Sequence, residues 1–124
     1  MTEYSRQAGC LPSPPRPLPH QRLHVWRKAV SLVEVCSNKP PQDAELRNHA
    51  LRAAKSVALN IAEGAPLEGR SRSRFFHIAR ASVLEVAAAY ELASAIGEDV
   101  PAIEVVGKAD EIYAMLTKLM RFGK

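Results

Sequence analysis

The sequence predicts an all-α fold, an antiparallel up-and-down four-helix bundle. Three observations predict it. Apolar residues recur at helical spacing in four successive segments, and no segment alternates as a strand does. Proline or glycine punctuates each junction. The junctions are short, and short junctions favour neighbouring helices that run in opposite directions.

The first stretch, "MTEYSRQAGCLPSPPRPLPH", precedes the helices and holds five of the nine prolines. Proline at that density removes backbone donors and favours an extended polyproline conformation. The expected organisation is a proline-rich tail over 1–21 and a bundle over 22–124. The tail reads as a flexible extension or, alternatively, as a ligand for a proline-recognition domain.

The first helix is expected from about His20 to Ser37, with Val25, Trp26, Ala29, Val30, Val33 and Cys36 inward. Asn38, Pro40 and Pro41 stop it. The second starts near Asp43, and Leu46, Ala50, Ala53, Val57, Asn60 and Gly64 alternate spacings of four and three. Gly64 suits a left-handed cap, and Pro66 forbids continuation. The third starts at Ser71 or Ser73, either of which is a good cap. Its seam is Phe76, Ala79, Val83, Val86, Tyr90 and Ala93, flanked by Phe75, Ile78, Ala89, Leu92 and Ile96. Gly97 ends it. The fourth begins near Asp99–Pro101 and carries Val105, Ala109, Ile112, Leu116 and Leu119.

At 124 residues there is room for one domain, and 47% hydrophobic content supplies its core. No apolar run approaches the roughly 20 residues that span a bilayer. The N-terminus lacks an apolar signal region, so a cytoplasmic protein without membrane contact is expected. Cys10 and Cys36 are far apart and read as free thiols.

Polar residues interrupt the apolar columns. Ser56, Asn60 and Glu63 do so on the second helix, Ser82 and Glu85 on the third. A buried polar group without a partner costs about 1–3 kcal/mol, so the five are expected to share a network. Antiparallel pairing about the intervening loop sets Glu85 near Arg52, and Glu63 near Arg72 or Arg74. Such a partner, or a contact with a second copy, explains an acidic residue at the helix end that disfavours it. Metal binding is not expected. A di-iron bundle needs paired Glu-x-x-His motifs, whereas Glu45 and His49 are four apart, as are His20 and His24. No cofactor is implied.

The formal charge of +4 is uneven. Residues 45–80 hold seven cations and three anions, residues 81–124 four and seven. The candidate nucleic-acid surface is Arg47, Arg52, Lys55, Arg70, Arg72, Arg74 and Arg80. In "RSRSR" arginine alternates with serine, and both donate well to phosphate.

"LRAAKSVALNIAEG" followed by "SRSRFFHIARASVLEV" resembles the four-helix-bundle family encoded in intervening sequences of bacterial large-subunit ribosomal RNA genes. "LHVWRKAVSLVEV" is similar to that family's aromatic-bearing first helix, and Ser82 and Glu85 match a second block of its pattern. The resemblance covers about residues 22–122. It implies a closed homopentameric ring, no enzymatic activity, and a likeness in fold to the nucleic-acid-binding accessory protein of diversity-generating retroelements.

Three functions are therefore weighed. One is a non-enzymatic homo-oligomer that binds RNA or DNA. The second is an oligomeric scaffold that binds protein only. The third is a ribonuclease of the HEPN type, because Arg72 and His77 show its Arg-x4-His spacing. There His acts as general acid or base and Arg stabilises the phosphorane.

Overall fold

The computed structural model describes residues 16–122, with the side chain of Phe122 outside the description. Four α-helices make up the fold, and no strand occurs among the described residues. They are α1 (His24–Asn38), α2 (Ala44–Gly64), α3 (Gly69–Ala95) and α4 (Ala102–Phe122), preceded by a 3-10 turn at Pro19–Arg22. The first α-helix thus starts four residues later than the periodicity suggests, because Pro19 opens a 3-10 turn with Gln21 folded back onto the Leu18 amide. Of the tail, residues 1–15 lie outside the described residues, as does Cys10.

Contacts fix the register. His49 pairs with Glu85, Ser56 with Ser82, and Gly64 approaches Phe76. Residue numbers rise along α2 as they fall along α3. The same opposite sense joins α1 to α4, through Lys28–Glu111 and Ser31–Lys108. Between α3 and α4, Arg80 Nη1 donates to Thr117 Oγ1.

The core is the apolar side of each helix. All six seam residues of α3, Phe76 to Ala93, are buried, as are Val105, Ala109, Ile112 and Leu116 on α4. Leu32, Ala54, Ala58 and Ile61 are also buried although they lie outside the expected seams. Ile78, Leu92 and Ile96, expected to flank the core, instead face solvent, at 42%, 54% and 64% exposure. They belong to a second apolar strip on the outer side of α3. Trp26 is half-buried against the core, its ring edge-on to His20 at 4.6 Å between centroids.

Two terminus expectations are corrected. Gly64 is a helical residue without positive φ, not a left-handed cap. What selects glycine there is space, because an added Cβ would stand 2.8 Å from Phe76 Cε1 and 3.1 Å from Phe75 Cβ. Neither Ser71 nor Ser73 caps α3, which starts earlier, after Glu68, on a Gly69 with φ of 59°. The other ends follow the sequence. Asp43 accepts from the Leu46 amide at the start of α2. Gly97, φ 96°, closes α3, with the Glu98 amide bonded back to Ala93.

At the far end one carboxylate joins two loops. Glu98 accepts from the backbone amides of Gln42 at 2.6 Å and Asp43 at 2.9 Å. Both amides stand just before α2, where no intrahelical acceptor exists for them. Glu98→Ala is expected to cost about 1–2 kcal/mol, read as a shifted urea midpoint with unchanged m. A midpoint equal to wild type would mean that water replaces the carboxylate without loss.

Nearby, the Tyr90 hydroxyl donates to the Lys39 carbonyl at 2.9 Å. The Cys36 thiol, free and buried, lies in hydrogen-bond contact with that hydroxyl. Burial pushes the thiol up to about 11. Burial, then the adjacent Cys36, pushes the Tyr90 phenol up as well.

Candidate nucleic-acid interface

The polar residues of α2 and α3 form two clusters rather than one network. In the first, Asn60 Nδ2 donates to the Ser56 carbonyl at 2.8 Å and to Ser56 Oγ at 3.1 Å. Ser56 Oγ lies 2.9 Å from Ser82 Oγ across the helix pair. In the second, Glu85 Oε2 stands 2.7 Å from His49 Nδ1 and 3.8 Å from Arg52 Nη2. A carboxylate oxygen only accepts, so the His49 Nδ1–H donates to it. His49 is the partner that sequence reasoning missed. It sits one turn before Arg52 on the same side of α2.

Glu63 belongs to neither cluster. It is exposed, and among the described residues no ion pair or hydrogen bond joins it to Arg72 or Arg74. The two arginines are held elsewhere. With Gly64 pressed on Phe76, Arg72 stacks over the Phe76 ring at 5.1 Å and Arg74 over Phe75 at 5.4 Å. Both guanidinium groups are drawn to rings of their own helix.

The seven candidate cations divide in the same way. Arg47 donates to the Gln42 carbonyl, and Arg52 serves Glu85. Arg80 is held by Thr117 and stacks over Tyr113 at 5.1 Å. Lys55, Arg70 and Arg74 are exposed; Arg72 is half-buried. Arg70 to Arg74 begin α3 and so stand beside the end of α2, whereas Arg47 lies near its start. The seven do not form one continuous patch.

Two cavities share Leu119 in their lining. One, of about 340 Å³, is lined by Gly69, Arg70, Arg72, Ser73, Phe76, Leu119 and Met120. The other, about 430 Å³, is lined by Arg22, Leu23, His24, Val25, Met115, Lys118 and Leu119. Arg22 and Lys118 were not grouped with Arg70 by their positions in the chain.

Arg72 and His77 do not converge. Five residues along a helix turn through about 140° net, which sends the two side chains to different sides. Arg72 rests on Phe76, while His77 is exposed, with its Nδ1 3.4 Å from Arg80 Nη2. Among the described residues no group of three or more His, Cys, Asp or Glu is placed to hold a metal ion, and no helix is long and apolar enough to cross a membrane.

Residues 21–118 hold the first three of these helices, with the α2–α3 pairing at the centre, and all but the last turn of α4. Those residues match the sequence pattern of the 23S rRNA-intervening sequence protein family. The chain belongs to this family. As an intervening sequence protein it keeps the helical core inside the matched region, while the proline-rich start falls before it. No curated protein matches the chain. No solved structure matches it either.

Proposed function

We propose that this intervening sequence protein is a non-enzymatic, antiparallel up-and-down four-helix bundle that works as a cytoplasmic homo-oligomeric ring and binds RNA or DNA. One observation carries the assembly. Helix α3 is apolar on two sides. Its inner seam is buried, yet Leu84 and Leu92 on its outer side are each 54% exposed, and the exposed Ala81, Ala88 and Ala95 complete the spacing. Positions 81, 84, 88, 92 and 95 repeat the three-and-four interval of a packing seam. Contiguous apolar strips of this kind mark contact surfaces. A homopentamer is the size that the family resemblance implies, and a ring would multiply a weak basic surface by multivalency.

The absence of a converged Arg72–His77 pair supports a non-catalytic role. Cations left exposed by the fold, such as Lys55 and Arg70, support phosphate binding.

Light scattering of the purified protein tests the assembly. The expected mass is five times the 13.6 kDa of the chain. Leu84→Glu with Leu92→Glu is expected to give a helical monomer. A wild-type monomer at micromolar concentration would overturn the ring. Salt-dependent retardation of RNA or DNA tests the binding, and no retardation at low salt with protein in excess would leave the protein-only scaffold in its place.

A further inference from the structure

The helix contacts sort the charges along the length of the molecule. The level of each residue follows from four pairings: 56 with 82, 49 with 85, 28 with 111 and 80 with 117. One half contains the α2–α3 loop, the start of α1 and the end of α4, that is, residues 18–25, 53–83 and 114–122. It holds eight cations and two anions, a net of +6. The other half, residues 26–52 and 84–113, holds six cations and ten anions, a net of −4. In the basic half Arg22, Lys55, Arg70, Arg74, Lys118 and Arg121 are exposed, and they come from all four helical regions.

We propose that this basic end of the bundle, rather than the side formed by α2, is the surface that grips nucleic acid, and that its ligand is a duplex held by its phosphates. The proposal rests on the nucleic-acid reading above and locates it. Two features favour the end over the side. Arg47 and Arg52 on the side are already engaged by Gln42 and Glu85, and they stand in the half whose net charge repels phosphate. Ligand laid along the bundle would cross from attraction into repulsion within its length. Ligand laid across the end meets cations from every helix.

The aromatic inventory favours a duplex. Proteins that hold single strands stack bases on exposed rings, at about 1–3 kcal/mol per base. Here Phe76 and Tyr90 are buried, and Trp26, Phe75 and Tyr113 are half-buried, the last two under arginines. No exposed Phe, Tyr or Trp ring occurs among the described side chains. Arginine and lysine without stacking platforms recognise backbone, not bases, and a duplex presents phosphates at the highest density.

Fluorescence anisotropy on full-length protein tests this, with labelled 20-base-pair RNA and DNA duplexes and the matching single strands as probes. The variant Arg22→Gln/Lys118→Gln/Arg121→Gln removes three charges from the basic end. The control Arg27→Gln/Lys28→Gln/Lys39→Gln removes three charges from the other half, none of them in the candidate surface. Thermal melts establish that both fold. The first is expected to weaken duplex binding at least tenfold and to lower the salt slope by about 2–3, with the control within about twofold of wild type. Equal loss in both variants, or loss in the control alone, would overturn the location while leaving nucleic-acid binding intact. Tighter binding of the single strands would overturn the duplex assignment. A wild-type protein that binds none of the probes would instead remove the reading on which the proposal stands.

Discussion

Gly64→Ala is expected to destabilise the protein by about 2 kcal/mol, although alanine is the better helix former. The propensity gain is about 1 kcal/mol. Against it stands a Cβ placed 2.8 and 2.9 Å from two carbons of the Phe76 ring and 3.1 Å from Phe75 Cβ. Phe76 is fully buried, so its ring has no free space to swing into. Overpacking of this kind costs about 1–3 kcal/mol, and the double approach places it at the upper end. A second glycine supplies the control. Gly107 lies inside α4 with nothing within 4 Å of an added Cβ, so Gly107→Ala is expected to stabilise by about 0.5–1 kcal/mol. Urea unfolding of the two variants distinguishes a packing role from a conformational one. If both stabilise, the close approach of α2 to α3 is not what selects glycine at position 64.

The second large effect is a loss of stability in alkali. Burial holds the Cys36 thiol at about 11, against an unfolded value near 9.0. Below pH 9 both states keep the proton and the protein has its full stability. Between pH 9 and 11 the unfolded chain releases the proton while the native state retains it, so stability falls as pH rises. The difference of about two units corresponds to roughly 2–3 kcal/mol by the upper limit. Tyr90, also raised, adds in the same direction at higher pH. Unfolding free energies measured from pH 7 to 10.5 are expected to decline from about pH 9 in wild type and to flatten in Cys36→Ala. Parallel slopes for the two proteins would show that the thiol is not the group responsible.

Much of the fold is legible in the chain because local periodicity and tertiary burial agree. In α3 the buried seam Phe76 to Ala93 is the one that spacing gives, since its six residues recur at unbroken intervals of three and four. In α2 the same reading is incomplete. Alanine occurs on several sides of that helix, so Ala54, Ala58 and Ile61 are buried outside the apparent seam. Gly64 misleads for a related reason. A glycine two residues before a proline has the local signature of a cap, whereas the phenylalanine that excludes a methyl group comes from another helix. Counting residues back from the loop brings Glu85 to the level of Arg52. It does not show that His49 reaches the carboxylate more closely. Grouping charge by chain segment likewise separates Arg22 and Lys118 from Arg70. They share an end only after α1 and α4 have packed, and no window along the sequence contains them all.

The Glu98 bond to the amides of Gln42 and Asp43 has a kinetic corollary. The residues it links are 55 and 56 positions apart, so its closure requires most of the intervening chain to be in place. Protection of those two amides against deuterium during refolding therefore dates the docking of the first helical hairpin onto the second. The Leu46 amide, bonded to Asp43 only three residues away, provides an earlier clock on the same turn of chain.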